Sequence, residues 1–234
     1  MYTVIDIWSR YVVGHLVADT EDGDLAGALI ADAAHREGID PDQLTIHADR
    51  GGAMTCKTVR QLLTDLRITR SHSRPKTSND NPYIEASFKT LKYHPTFPTQ
   101  FGSLQHARQH CADFYDFYNH EHYHSGIGLH TPASVHHHTA ERIRERRQIV
   151  LEAAFTAHPE RFTRRPKAPE LPQQVWINNP NTHGDHQDPR PGGPQAHAAP
   201  IAPTTDQPNH HSDRHGRNQP PTSATENKNL SHLT

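Results

Sequence analysis

The sequence predicts an α/β fold, and three observations carry that expectation. Two β-rich runs lie in tandem at the N-terminus. Amphipathic helical stretches then alternate with short apolar runs. Apolar periodicity is confined to residues 1 to about 130 and nearly vanishes in the last fifty or so. Residues 2–8 (YTVIDIW) and 11–18 (YVVGHLVA) meet at Ser9-Arg10 and read as a hairpin. Asp22 or Asp24 is placed to cap a helix in which Leu25, Ala28 and Leu29 recur at helical spacing; Gly38 stops it and Pro41 prevents resumption. Leu44–Ala48 is a short buried-strand candidate ending in the turn Asp49-Arg50-Gly51-Gly52. Val59, Leu62, Leu63 and Leu66 mark an amphipathic helix, and a short strand follows around Ile68.

Residues 71–81 (SHSRPKTSNDN) are polar and turn-rich and read as a mobile loop. Asn79 or Asp80 is positioned to cap the next helix, with Pro82 in the first turn where proline is tolerated. Its expected buried face is Ile84, Phe88 and Leu91. A further helix starts near Ser103, with Leu104, Ala107, Cys111, Phe114 and Tyr118 on one side, and residues 141–158 read as a basic helix. Beyond Pro180, Pro, His, Asn, Gly and Ser dominate, so the tail is expected to be disordered. A strand pair followed by alternating helix and strand predicts a sheet with helices packed against it.

The composition narrows the function class. Only 32% of residues are hydrophobic, with 19 Pro and 22 His, so the whole length does not form one packed core. Cys56 and Cys111 match no metal or redox spacing and read as reduced thiols. No apolar run is long enough to span a membrane, and the N-terminus lacks a signal-peptide layout, so a soluble cytoplasmic protein is expected. The net charge of −2 conceals an asymmetry. Residues 1–49 carry two Lys/Arg against ten Asp/Glu, residues 50–92 nine against three, and residues 141–167 eight against four. Local positive potential of this kind suits phosphates, although ordinary solvated surfaces vary as much.

Two carboxylates carry the chemical reading. Asp49 falls just past a predicted strand, where open α/β sheets place ligand groups; a turn former is the plainer role for it. Glu85 lies in the first turn of a helix, where a carboxylate also simply complements the helix dipole. Together they say more. Glu85, Lys89 and Lys92 recur at i, i+4 and i+7, forming one stripe beside the apolar stripe of the same helix. If the strand bearing Asp49 packs beside that helix, two carboxylates converge next to cations. Two-metal phosphoryl transfer uses that chemistry: carboxylates hold Mg²⁺ ions about 4 Å apart, and lysines hold phosphates.

Asp49 and Glu85 are separated by 35 residues. Around them stand IHADRGGAMT (46–55), SNDNPYIEASFKTLKYHPTFP (78–98), YNHEHYHSGIGLHTPASVH (118–136) and VWINNP (175–180). In spacing and order these resemble the motifs of bacterial insertion-sequence DDE transposases and retroviral-integrase catalytic cores. The resemblance covers roughly residues 1–180. It implies an RNase H-like mixed sheet flanked by helices and a site for two Mg²⁺ or Mn²⁺ ions. It also implies DNA as partner, at insertion-sequence ends and in target DNA, and a homo-oligomer assembled on that DNA. Asp49 becomes the second catalytic, metal-holding carboxylate and Glu85 the third, while Lys89, Lys92 and Arg50 become DNA-binding residues. Asp6 does not match the first-aspartate motif. In the family that motif lies on a strand upstream of the YTVIDIW hairpin, so the resemblance implies that this chain lacks its first strand and is inactive alone.

The implied organisation is a catalytic core over 1–138, a helical basic extension over 139–180 and a disordered tail over 181–234. The implied function is DNA cleavage and strand transfer. The alternative is an inactive truncated transposase fragment that only binds DNA or intact transposase subunits. His120, His122, His124 and His136–His138 fit no closed zinc pattern, and Tyr115, Phe117 and Tyr118 read as packing residues.

Overall fold

The N-terminal hairpin forms where β-branched residues gather and stops where a carboxylate intervenes. β1 (Tyr2–Ile5) and β2 (Val12–Leu16) pair antiparallel, with a register shift between Val4 and Ile5. Both strands are shorter than the runs that predict them because Asp6 turns the chain. Its carboxylate accepts hydrogen bonds from the backbone N–H groups of Trp8 and Ser9 and from the Ser9 hydroxyl. Such local bonds offer the backbone an alternative to the ladder. These features come from a computed structural model that describes residues 1–74 and 80–177.

α1 (Gly23–Arg36) starts on Asp22, whose carboxylate accepts from the Asp24 N–H at 2.7 Å. Gly38 follows its end at φ 60°, the left-handed conformation that glycine adopts without a Cβ penalty. β3 (Thr45–Ala48) and β4 (Thr69–His72) pair in parallel, with Ala48 opposite His72. Parallel neighbours require a crossover, supplied here by α2 (Gly52–Thr55) and α3 (Lys57–Asp65). The architecture is therefore mixed α/β, one ladder antiparallel and the other parallel. Among the described residues no ladder joins the two pairs. One apolar cluster spans both: Ala26, Ile30, Val59, Leu63 and Ile68 are buried, with Tyr2 of β1 and Ile46 of β3 packed against them.

α4 (Pro82–Lys92) and α5 (Leu104–His120) build the second cluster. The N-cap of α4 is Asn81; Asn79 lies outside the described residues, and Asp80 is buried in an ion pair instead of capping the helix. The buried positions of α4 are Ser87 and Leu91, one turn apart, whereas Ile84 and Phe88 are half-buried. The small Ser87 lets α4 approach Tyr115 and Tyr118 of α5, both buried. Ser103 caps α5 by accepting from the His106 N–H at 3.0 Å. Cys111, Phe114, Tyr115 and Tyr118 then pack on Val12 and Leu91. Near the end of α5, buried Asn119 acts as a substitute strand. Its Nδ2 donates to the Val12 carbonyl at 3.0 Å and its Oδ1 accepts from the Val12 N–H at 2.9 Å.

α6 (Pro132–His136) and α7 (Ala140–Ala157) follow among the described residues. Ile127, Val135 and Ala140 form a third cluster against Trp8 and Leu171. The segment after α7 crosses closely over Gly128. That residue has φ 66°, and a Cβ there would meet the Glu170 carbonyl oxygen at 2.7 Å. Farther on, the Tyr83 hydroxyl donates to the Trp176 carbonyl at 2.9 Å, tying the VWI part of the closing motif to α4. Asn178–Pro180 of that motif, the expected disordered tail from 181 and residues 75–79 of the expected loop lie outside the described residues. No helix among the described residues is long and apolar enough to cross a membrane.

The segment between α5 and α6 sets an acid limit on stability. Burial pushes the His124 ring down to about 4 and also lowers His130, which is fully buried. His124 Nε2 and both His130 ring nitrogens are buried without a hydrogen-bond partner among the described residues. A lowered histidine favours the neutral form in the folded state, so its contribution is complete above pH 6.5 and is lost as pH falls below that value. His124→Gln is expected to lose less stability than the unaltered chain between pH 7.5 and pH 5, read from urea midpoints. An identical loss in both proteins contradicts this.

Candidate functional site

Asp49 follows β3 directly and is exposed. Its Oδ1 accepts from the Gly51 N–H at 3.1 Å, and its carbonyl oxygen lies 3.2 Å from His72 Nδ1 at the end of β4. The adjacent Arg50 donates through Nε to the Ser73 carbonyl at 3.0 Å, and the Ser73 N–H donates to Ala48. The turn bearing Asp49 is thus bonded to the strand beside it. Glu21 joins the same turn: its Oε1 accepts from the Ala53 N–H at 3.2 Å. A Cβ placed on Gly51 would lie 3.1 Å from Asp49 Oδ1 and 3.4 Å from Glu21 Oε1, so both carboxylates border one glycine. Sequence reasoning missed Glu21, because nothing local links it to a turn thirty residues away.

Glu85 is exposed in the first turn of α4, and Lys89 and Lys92 are exposed in the last. Asp80 decides where that helix begins. It is 1% exposed, and its carboxylate accepts from the Arg74 backbone N–H at 2.6 Å and from the Arg74 guanidinium at 2.8 and 3.0 Å. Two-pronged, charge-assisted bonds of this kind are strong and directional. Burial lowers the pKa of His47, while a backbone hydrogen bond with Asp80 and the Asp80 charge pull it upward. Asp80 therefore lies against a residue two positions before Asp49 and is itself five positions before Glu85. Asp49 and the start of α4 share the carboxyl-terminal edge of the β3–β4 ladder, the edge at which open α/β sheets bind ligands.

The donors at this edge are carboxylate oxygens, the type that Mg²⁺ and Mn²⁺ take. Among the described residues no group of three or more His, Cys, Asp or Glu is arranged to hold a metal ion. Lys92 Nζ lies 5.9 Å from the Tyr93 ring centroid, a cation–π contact on an exposed surface.

Two family models, both described as integrase core domain, match this chain, one over residues 1–78 and the other over residues 66–132. The first includes Asp49 and the second Glu85. The chain belongs to the integrase core domain family. A relative, the transposase for insertion sequence element IS904 of Lactococcus lactis subsp. lactis (strain IL1403), is 27% identical over 129 residues, 55% of this chain and 51% of the relative. The chain thus spans about half the length of the curated relative it matches. Among solved structures, the catalytic core domain of BIV integrase is 19% identical over 60% of this chain and 86% of its own, with a TM-score of 0.43. A chain of the simian T-cell lymphotropic virus intasome, solved with PP2A regulatory subunit B56 gamma, is 17% identical over 58% of this chain and 47% of its own, with a TM-score of 0.44.

The integrase core also holds a polar network that sequence reasoning missed. His136 of α6 is bracketed by two carboxylates. Its Nε2 is 2.8 Å from Glu37 Oε2 and its Nδ1 is 3.4 Å from Asp6 Oδ2. Ser9, fully buried, bonds to Asp6 and lies 3.3 Å from the same ring, and Tyr11 stacks on it at 4.4 Å. Burial works against a charged His136, but hydrogen bonds to Asp6 and Glu37 outweigh it and raise the pKa. The network joins the hairpin turn, the end of α1 and α6. Its members are up to 130 residues apart, a separation that periodicity does not report.

Asp80→Asn in this integrase core is expected to lower unfolding free energy by about 2–3 kcal/mol, since it leaves the Arg74 cation and the α4 start poorly matched. Chemical denaturation checks this; a loss below about 0.5 kcal/mol, the range of ordinary surface changes, contradicts it. His136→Ala is expected to cost about 2 kcal/mol near pH 6. A raised histidine stabilises below 6.5 and loses its contribution as pH rises through the folded value, so this cost should shrink by pH 8.5. A pH-independent cost contradicts the charged network.

Proposed function

We propose that this chain is the catalytic-core part of an insertion-sequence transposase, acting in DNA integration and recombination by metal-dependent phosphoryl transfer. One observation carries the reading: Asp49 ends β3 at the edge from which α4 and Glu85 depart, with Asp80 and His47 joining the two. The integrase core family match spans both residues and supports it. The reaction is in-line attack on a phosphodiester by water and then by a 3′-hydroxyl, without a covalent enzyme intermediate. The DNA partners are insertion-sequence ends and target DNA, engaged in the cytoplasm by a homo-oligomer.

Each residue has a role set by its chemistry. Asp49 and Glu85 supply oxygen ligands for two Mg²⁺ or Mn²⁺ ions. Bound there, such ions contribute Lewis-acid stabilisation of the attacking and leaving oxygens. Lys89 and Lys92, exposed along α4, hold backbone phosphates as point charges. Arg50, fixed through Nε to Ser73, offers further guanidinium donors to a phosphate beside Asp49. The domain reading is a catalytic core over 1–138 followed by a basic extension.

Replacing Glu85 by Gln in a transfer-competent preparation is expected to abolish strand transfer while DNA retention in a gel-shift assay is unchanged. Unchanged transfer removes Glu85 from the mechanism. Residues 1–234 alone are expected to show no Glu85-dependent DNA cleavage in Mg²⁺ or Mn²⁺. Robust, Glu85-dependent cleavage by that chain overturns this expectation.

A further inference from the structure

Glu85 stands on a turn of helix that its neighbours in sequence hold weakly. The first turn of a helix leaves backbone N–H groups without partners inside the helix, and it frays unless something secures it. Asn81, the N-cap of α4, makes no side-chain capping bond. Glu85 is exposed, and its N–H donates to the Asn81 carbonyl at 3.2 Å. Between Pro82 and Glu85, among the described residues, the one side-chain hydrogen bond is that of Tyr83, whose hydroxyl donates to the Trp176 carbonyl at 2.9 Å. Tyr83 is clamped by two parts of the chain remote from α4. The first is Arg10, whose guanidinium carbon lies 4.0 Å from the ring centroid. Arg10 is set in the hairpin turn at φ 66°, and its N–H donates to the Asp6 carbonyl at 2.8 Å. Its Nη1 is buried without a hydrogen-bond partner among the described residues. Such a nitrogen costs free energy, and the Tyr83 ring face, which attracts a cation, partly offsets that. The second is the strap that follows α7. Gln148 Oε1 accepts from the Ala168 N–H at 2.8 Å, Glu170 passes over Gly128, and Leu171 packs on Ile127 and Val135 before the chain reaches Trp176. Both integrase core matches end by residue 132, so the strap lies beyond them and yet reaches back to the helix of Glu85.

We infer that Arg10 and the strap, acting through Tyr83, position Glu85 for its metal ion, so that Tyr83 is a positioning residue and residues 166–177 belong to the support of the site. The inference rests on the reading of Glu85 as a metal-holding carboxylate. Tyr83 and Glu85 are two residues apart, about 200° around the helix. One is half-buried and the other exposed, so fixing the inner face of the turn fixes the direction of its outer face. Arg74 and Asp80 hold the chain before the helix begins, whereas Tyr83 holds the first turn itself. Without the clamp that turn unwinds more readily, and the Glu85 carboxylate spreads over many positions. Affinity for the ion then falls while the fold persists, because the buried faces of α4 and α5 are untouched.

Titration of the full chain with Mn²⁺, the free ion being read by electron paramagnetic resonance, tests this. Tyr83→Phe keeps the ring beside Arg10 and removes only the hydroxyl. It is expected to weaken Mn²⁺ binding about three- to tenfold, the contribution of one hydrogen bond, with an unchanged circular dichroism spectrum. Trp176→Gly is expected to weaken binding as well, and the two effects should not add, since both loosen one linkage. Ser103→Ala removes the α5 cap, a bond remote in sequence from Glu85, and is expected to leave Mn²⁺ binding unchanged. Glu85→Gln separates the two readings. If it weakens binding while Tyr83→Phe does not, the positioning role is overturned and the metal role of Glu85 stands. Full additivity of Tyr83→Phe and Trp176→Gly, or equal weakening by Ser103→Ala, overturns the positioning role in the same way. If Glu85→Gln itself leaves binding unchanged, the metal role fails and this inference fails with it.

Discussion

Asp80 is a carboxylate with almost no exposed surface, and burial of that kind holds only while the charge is answered. Arg74 answers it with backbone and guanidinium together. The consequence reaches beyond the pair. Arg74 lies two residues past β4 and Asp80 two before α4, so the pair fixes where the helix starts relative to the ladder. The contact with His47 then refers that starting point to β3 and hence to Asp49. Packing alone would not do this. Ser87 and Leu91 set the rotation of α4 against α5, yet apolar contact leaves sliding along the axis weakly opposed. An anchored N-terminus removes that freedom and places Glu85 at one edge of the sheet.

The same logic of remote polar anchors recurs elsewhere in the molecule. Asn119 gives β2 the hydrogen bonds that an adjacent strand would supply, at the point where the hairpin register shifts. His136 fastens α6 to the hairpin turn and to the end of α1. Tyr83 is held on two sides, its ring under the Arg10 guanidinium at 4.0 Å and its hydroxyl on Trp176. Each anchor ties a helix to something far away in the chain. That is how two short ladders among the described residues keep their helices in fixed register.

Much of this was legible in the sequence wherever the determinant is local. Asp22 caps the helix it was expected to cap, and the helix expected near Ser103 starts on that residue, because a cap bonds within three residues. Gly38 ends α1 for an equally local reason. α3 and α5 follow from periodicity, and the hairpin from two β-rich runs in tandem. Asp49 and Glu85 could be singled out by spacing and by their places on a strand end and a first helical turn. Legibility failed where the partner is remote. Asp80 reads as a cap but is buried against Arg74, and Ser87 is buried because two tyrosines from another helix need the space. Glu21 reaches Ala53 from the start of α1, and His136 finds its carboxylates at positions 6 and 37. Asp6 shortened the hairpin by outcompeting the ladder for backbone donors.

The proposed chemistry requires Asp49 and Glu85 to hold divalent cations side by side at the edge that Asp80 organises. Crystals of the polypeptide soaked in Mn²⁺, with anomalous scattering recorded at the manganese edge, examine that directly. The predicted result is manganese about 2.1 Å from carboxylate oxygens of each residue, the ions about 4 Å apart. Manganese bound by one of them alone, or only at sites remote from this edge, would contradict it.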